Sequence, residues 1–170
     1  MGPCVRRDDG ELVYDITPIA LADAAICRVR STIVSSLLTV HTPGADFINL
    51  TAEVAKFVAD ADAREGAVTL FVRHTSASLT IQENADPSVL DDLMTALDRA
   101  APENAGWTHD TEGPDDMPAH IKTMLTATSL QVPVLDGELA LGTWQAIYLI
   151  EHRARPHRRD IVLQFIGATK

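Results

Sequence analysis

The strongest constraint on the fold is a run of apolar, strand-like segments in the second half of the chain, joined by very short connections. Residues 130–135 and 138–141 flank Asp136-Gly137, a pair that favours a tight hairpin turn. Residues 144–152 and 161–166 are further strand-like segments. Such short connections join antiparallel neighbours, whereas parallel strands need a long crossover. The sequence therefore predicts a largely antiparallel sheet.

The first half of the chain alternates strand and helix signals. Residues 31–41 are rich in β-branched residues and leucine, which is typical of a strand. Thr51 is a predicted N-cap, and the helix after it ends before Gly66. Its apolar face repeats at helical spacing through Val54, Phe57, Val58 and Ala61. Residues 68–72 and 78–82 are then predicted strands.

Two more helices are predicted in the middle of the chain. Asp86 followed by Pro87 indicates a cap and a proline in the first turn, and this helix ends before Pro102. Residues 104–117 are predicted to form a long polar loop, after which Pro118 opens a short helix. The expected fold is therefore α+β, with two main helices and one short helix packed on the sheet.

The chain is predicted to hold one domain. Its 170 residues suit a single core. Residues 1–28 show no periodicity and are predicted to be an N-terminal extension, which leaves residues 29–170 as the domain.

Charge and composition limit the partners and the location. Lys and Arg total 14 against 24 for Asp and Glu, a formal net charge of -10, and such a chain repels nucleic acid phosphates. No apolar run approaches the ~20 residues of a membrane span. The two cysteines, Cys4 and Cys27, favour a reducing compartment. We therefore expect a soluble cytoplasmic protein that binds neither nucleic acid nor membrane.

Three segments carry residues that are suited to chemistry. The first, residues 74–78, reads His-Thr-Ser-Ala-Ser and leaves a predicted buried strand. Its hydroxyls and turn amides can hold phosphate or carboxylate oxygens, or they can simply satisfy neighbouring backbone groups. The sequence leaves both interpretations open.

The second segment, residues 109–120, has four carboxylates and two histidines. They are His109, Asp110, Glu112, Asp115, Asp116 and His120. Imidazoles suit zinc, and carboxylates suit magnesium. Alternatively, Asp115 and Asp116 cap the helix that Pro118 opens, or the loop is only a solvated acidic surface.

The third segment begins with Gly-Thr-Trp-Gln at 142–145 and ends with Glu151, His152 and Arg153. A carboxylate and an imidazole at the end of an apolar strand are suited to proton transfer or metal binding, and an arginine can fork onto a phosphate. His41 and His157 lie in predicted turns, as does the basic stretch 153–160, and we expect them to be surface residues.

Together these three segments resemble the YjbQ-like family, which is named for secondary thiamine-phosphate synthase activity. The matching motifs are His-Thr-Ser-Ala-Ser, Glu-Gly-x-Asp-Asp-Met-Pro-x-His-Ile-Lys and Gly-Thr-Trp-Gln, and the resemblance spans residues 31–168. Two positions depart from the family pattern, since Ala127 and Ala146 stand where glycine is usual.

The resemblance implies an α+β fold, a homotrimer and a metal site near the histidines. It also implies a transferase that joins a pyrimidine diphosphate to a thiazole phosphate with loss of pyrophosphate. The alternatives are a metal-assisted hydrolase of a small phosphorylated or acyl substrate, and a non-catalytic ligand-binding trimer. The expected partner is a small phosphorylated metabolite, and the expected cofactor is a divalent metal, zinc or magnesium.

The resulting site prediction has three groups. The catalytic candidates are Glu151, His74 and Asp110. The metal candidates are His109, His120 and His152. The anion- or substrate-binding candidates are Thr75, Ser76, Ser78, Trp144, Gln145 and Arg153. The site prediction has these residues converge on one pocket, with some of them supplied by a neighbouring subunit: His74, His109, His120, Glu151 and His152.

Overall fold

The computed structural model describes residues 31–170 and, before them, only the paired backbone of strands β1 (Val5–Arg6) and β2 (Leu12–Val13). The rest of the predicted extension, residues 1–28, lies outside the described residues. The boundary near residue 28 therefore stays a prediction.

The domain contains eight further strands and three helices within residues 31–170. The strands are β3 (Thr32–Thr42), β4 (Asp46–Asn49), β5 (Ala63–Val72), β6 (Ala77–Glu83), β7 (Ser129–Leu135), β8 (Glu138–Leu139), β9 (Gln145–Glu151) and β10 (His157–Thr169). The helices are α1 (Thr51–Asp60), α2 (Pro87–Ala100) and α3 (Asp116–Leu125). None of these helices is long and apolar enough to cross a membrane.

The strands form two antiparallel sheets that share one core. The larger sheet has the order β3-β10-β5-β7-β8, and the smaller has the order β4-β9-β6. Buried side chains from both sheets meet those of α1, as Phe165, Leu149 and Val54 illustrate. The predicted α+β fold with antiparallel sheets is thus confirmed, including the hairpin at Asp136-Gly137.

Two details of the first helical unit differ from the prediction. Thr51 is not the cap but the first residue of α1, because its hydroxyl accepts a hydrogen bond from the backbone N–H of Ile147 in β9. Gly66 lies inside β5 instead of before it. A Cβ at Gly66 would come within 2.3 Å of the carbonyl oxygen of Ile166, so the close approach of β10 requires glycine there.

The start of α2 matches its prediction, since the Asp86 carboxylate accepts a hydrogen bond from the backbone N–H of Ser88, and Pro87 lies in the first turn. The start of α3 does not, because the helix begins at Asp116 and Pro118 occupies its first turn. Proline is tolerated there because the first N–H groups of a helix have no partner within it.

The last strand is longer than predicted. Strand β10 begins at His157, and its first residues pair with the end of β3, with Arg158 opposite His41. The predicted turn at 153–160 is therefore only half as long. His41 and His157, predicted to lie in turns, lie in strands β3 and β10. The long-range partner strand decides this boundary, which local composition does not reveal.

Candidate metal centre and adjoining cavity

Helix α3 and the loop before it bring together His109, Asp116 and His120. One ligand atom from each of the three lies within 4.8 Å of the others. The rings of His109 and His120 are 5.4 Å apart between centroids. Asp116 and His120 share a helix face because they are four residues apart. Two imidazoles and a carboxylate can hold a divalent metal and leave a position open.

The orientation of His120 favours metal binding. Its Nδ1 donates a hydrogen bond to the backbone carbonyl oxygen of Thr75, 3.0 Å away. The neutral ring therefore carries its proton on Nδ1 and presents a bare Nε2, which lies 3.8 Å from Asp116 Oδ1. Metal-binding histidines commonly use such a bond to a carbonyl to fix their orientation.

Asp116 is buried, with one oxygen held by Arg153 and the other near His109. Arg153 Nη1 donates to Oδ1 of Asp116. Oδ2 lies 2.9 Å from His109 Nε2, yet within residues 31–170 it has no partner in hydrogen-bonding geometry. A buried carboxylate oxygen without a hydrogen bond is costly, and a cation between Oδ2 and the imidazoles would remove that cost.

Arg153 also binds the loop that carries His109 and holds it in place. Its Nε donates to Asp115 Oδ2 at 3.1 Å, and its Nη2 donates to the carbonyl oxygen of Glu112 at 2.9 Å. Burial alone would raise the pKa of Asp115, but the bonds from Ala154 N–H and Arg153 outweigh it and lower that pKa. Arg153, predicted to bind substrate, here positions the loop.

The remaining carboxylates of this segment do not join the cluster. Asp110 is exposed, and the side chain of Glu112 is 72% exposed, 3.6 Å from Arg153. Asp110, predicted to be catalytic, thus borders the candidate centre in sequence without contributing a ligand atom to it.

Glu151 is fully buried in a structural ion pair. Its carboxylate accepts two hydrogen bonds from the guanidinium of Arg159, at 2.6 and 2.5 Å. It accepts two more from the Thr42 hydroxyl and the Arg153 backbone N–H. Burial would raise the pKa of Glu151, but these four bonds outweigh it and lower that pKa. The arrangement favours a structural role over the predicted role of base.

His152 and Ser78 form a second buried pair. Ser78 Oγ lies 2.8 Å from His152 Nε2 and 2.7 Å from Thr126 Oγ1. Burial, aided by the charge of Lys122, lowers the pKa of His152 to about 4. The Nδ1 of His152 has no hydrogen-bond partner within the part of the chain described here. The pair is not part of the His109–Asp116–His120 cluster.

A cavity of about 550 Å³ lies at the end of β5. It adjoins the His109–Asp116–His120 cluster through Thr75, which lines the cavity and whose carbonyl oxygen is bonded to His120. Its polar wall consists of Arg73, His74, Thr75, Ser76 and Thr128. His74 Nε2 accepts a hydrogen bond from the backbone N–H of Asp160 at 2.9 Å, so the neutral ring carries its proton on Nδ1. Burial, followed by the charge of Arg159, lowers the pKa of His74.

Trp144 and Gln145 lie at the other end of β9 from Glu151. Five residues of strand lie between Gln145 and Glu151, and the six steps along the strand correspond to roughly 20 Å. Gln145 Oε1 accepts a hydrogen bond from the backbone N–H of Gly142, and Trp144 is 65% exposed. Within one chain, these two predicted substrate residues therefore do not reach the metal cluster.

Within one chain, His109 and His120 are the two of the five predicted residues that join this cluster. The convergence of all five with the help of a neighbouring subunit stays a prediction. Two residues were undervalued in the sequence. The sequence fits Asp116 both as a helix cap and as a carboxylate that suits magnesium, and it places Arg159 in a predicted solvated turn. The i, i+4 spacing of Asp116 and His120 was the available signal for the first, whereas nothing local indicates that Arg159 pairs with Glu151.

Comparisons with known proteins agree with this architecture. The model of the family described as UPF0047 protein YjbQ-like matches residues 36–168. A UPF0047 protein of Synechocystis sp. is 46% identical over 132 residues, covering 77% of this chain and 90% of that protein. The UPF0047 protein YjbQ of Escherichia coli O157:H7 is 41% identical over 131 residues, covering 76% and 95%.

Solved structures show the same fold. An uncharacterised conserved protein of the YjbQ/UPF0047 family from Clostridium acetobutylicum superposes with a TM-score of 0.69 at 35% identity, covering 78% of this chain and 98% of that one. A YbjQ-like protein of unknown function from Sulfolobus solfataricus gives 0.76 at 22% identity, covering 81% and 99%. This chain belongs to the YjbQ-like (UPF0047) family.

Proposed function

We propose that the protein is a metal-assisted hydrolase of a small phosphorylated or acyl substrate, with zinc held by His109, Asp116 and His120. The observation that carries the proposal is the meeting of two imidazole rings and a buried carboxylate within 4.8 Å. Catalytic zinc sites typically have three such ligands and one open position. A zinc ion there would polarise the substrate and lower the pKa of a bound water.

The surrounding residues support this by fixing the ligand set. The carbonyl of Thr75 orients His120, and Arg153 holds Asp116 by one oxygen while leaving the other free. The His109 ring is 53% exposed, so solvent and substrate can approach the cluster from its side. The neighbouring cavity provides room for a small molecule.

Secondary thiamine-phosphate synthase activity is the second candidate. The family resemblance and the basic, hydroxyl-rich cavity wall favour it, because that reaction needs groups that hold phosphate. The magnesium shell expected for it is less favoured, since Arg153 engages both Asp115 and Asp116. A ligand-binding protein without catalysis is the outcome if neither activity is found.

An activity screen with zinc-loaded protein tests the proposal. The substrates are 4-nitrophenyl phosphate, 4-nitrophenyl acetate and, in parallel, the two thiamine precursors with magnesium. We expect hydrolysis that falls at least tenfold in His109→Ala and in His120→Ala, while His41→Ala, an exposed histidine on β3, retains it. Hydrolysis that survives both ligand substitutions, or synthesis of thiamine phosphate in its place, would overturn the hydrolase proposal.

A further inference from the structure

The cavity at the end of β5 has an unusual balance of charge for this protein. The chain carries a formal net charge of -10, yet no residue lining this cavity is acidic. Arg73 is the charged residue of the wall, and three hydroxyl-bearing residues, Thr75, Ser76 and Thr128, also line it. A basic wall in an acidic protein concentrates anions locally.

The wall offers several hydrogen-bond donors at once. Because Nε2 of His74 accepts from the backbone N–H of Asp160, the neutral ring has its N–H at Nδ1, and that N–H makes no hydrogen bond within residues 31–170. The backbone N–H groups of residues 74–76, between β5 and β6, likewise donate no hydrogen bond to the described residues. Consecutive free amides of this kind are typical of oxyanion-binding loops.

We propose that this cavity is a binding site for the phosphate group of a small phosphate monoester, with Arg73 as its anchoring charge. A guanidinium forks onto two phosphate oxygens, and the His74 Nδ1–H, the hydroxyls and the amides are neutral donors for the rest. The cavity volume of about 550 Å³ accommodates a phosphate and a small organic group.

This inference deepens the proposed function, since it selects phosphorylated over acyl substrates for the same site. Thr75 links the two parts, because it lines the cavity and its carbonyl oxygen accepts the hydrogen bond from His120. A phosphate bound beside Thr75 therefore lies next to the metal cluster. Binding of the phosphate, however, rests on the cavity wall and needs no metal.

Calorimetric titration of the metal-free, full-length protein tests the inference, with inorganic phosphate and phenyl phosphate as the two probes. We expect both to bind, and phenyl phosphate to bind more tightly because its ring also occupies the cavity. Arg73→Gln should weaken binding at least tenfold, and Arg73→Lys should restore part of it, since lysine keeps the charge but loses the fork.

Two control variants separate this inference from the alternatives. Arg64→Gln makes the same charge change at an exposed position of the same strand, β5, and should leave phosphate binding unchanged. His109→Ala should lose zinc binding but keep phosphate binding, because His109 does not line the cavity.

Three results would overturn the phosphate site. The first is no binding of either probe up to about 10 mM, because a dissociation constant above that value corresponds to a negligible affinity. The second is equal weakening by Arg64→Gln and Arg73→Gln, which indicates only a general charge effect. The third is binding that occurs only with zinc and disappears in His109→Ala, which leaves the metal site intact as a proposal but moves the phosphate onto the ion.

Discussion

His120 donates its Nδ1 hydrogen to the carbonyl oxygen of Thr75 across 3.0 Å, and this bond joins the candidate metal cluster to the cavity. Thr75 belongs to the loop that leaves β5, whereas His120 belongs to α3. The contact therefore fixes both the ring of a candidate metal ligand and the place where a substrate would lie.

The first prediction follows from this bond and concerns the protonation of the ring. In the metal-free protein, neutral His120 should carry its proton on Nδ1. Long-range proton–nitrogen NMR correlations distinguish the two neutral forms of imidazole, and zinc should then shift Nε2 more than Nδ1. A ring protonated on Nε2 would remove the argument that His120 is oriented for metal.

A second prediction separates a structural from a catalytic Glu151. Glu151→Gln removes the charge that opposes the buried Arg159, and breaking a buried ion pair costs about 3 kcal/mol or more. We expect that loss in the free energy of unfolding, measured by chemical denaturation. A variant of unchanged stability that has lost all activity would instead support the role of base.

The third prediction concerns stability against pH. Because the pKa of His152 falls from 6.5 to about 4 on folding, the unfolded chain binds an additional proton between these values. The contribution of His152 to the free energy of unfolding is therefore fully present above pH 6.5. It falls by up to about 3 kcal/mol by pH 4. The pKa of His74 is lowered as well, so His74 also makes the folded state less stable as the pH falls.

His152→Gln is the variant that checks this assignment. Its stability should vary less between pH 6.5 and 4 than that of the original protein, while an NMR titration of the original protein should place His152 near pH 4. Glu151 and Asp115 have lowered pKa values, so their contribution is lost only at lower pH. A His152 that titrates near 6.5 would contradict the prediction.

The fourth prediction is the homotrimer. The outer face of the larger sheet exposes Ile33, Leu37, Phe71 and Ile166, each at least 45% accessible. Ile33 pairs with Ile166, and both Leu37 and Phe71 pair with Val162, so these side chains share one face. An apolar face of this kind favours association.

Light scattering should give three times the chain mass of 18.4 kDa. Leu37→Glu should shift the protein toward monomer because it places a charge on the apolar face. Ala55→Glu, at an exposed position of α1, is the matched control and should not. A stable monomer at micromolar concentration would refute the assembly.

The sequence predicted the fold better than the site, for physical reasons. The Asp136-Gly137 turn and the Asp86-Pro87 cap are local signals, and local chemistry decides those elements. The start of β10 depends on its pairing with β3, which no local pattern encodes. Glu151 ends β9 and Arg159 lies in β10, and the two meet as a buried ion pair only in the folded chain. Aspartate is equally typical of a helix start and of a metal ligand, so the residue type at position 116 does not distinguish the two roles.

X-ray absorption at the zinc edge of the reconstituted protein tests the metal centre most directly. The proposed zinc site predicts one zinc per chain, with two imidazole nitrogens at about 2.0 Å and oxygen atoms in the remaining positions. A first shell without imidazole, or the same shell in the His109→Ala and His120→Ala variants, would contradict a zinc site built from His109, Asp116 and His120.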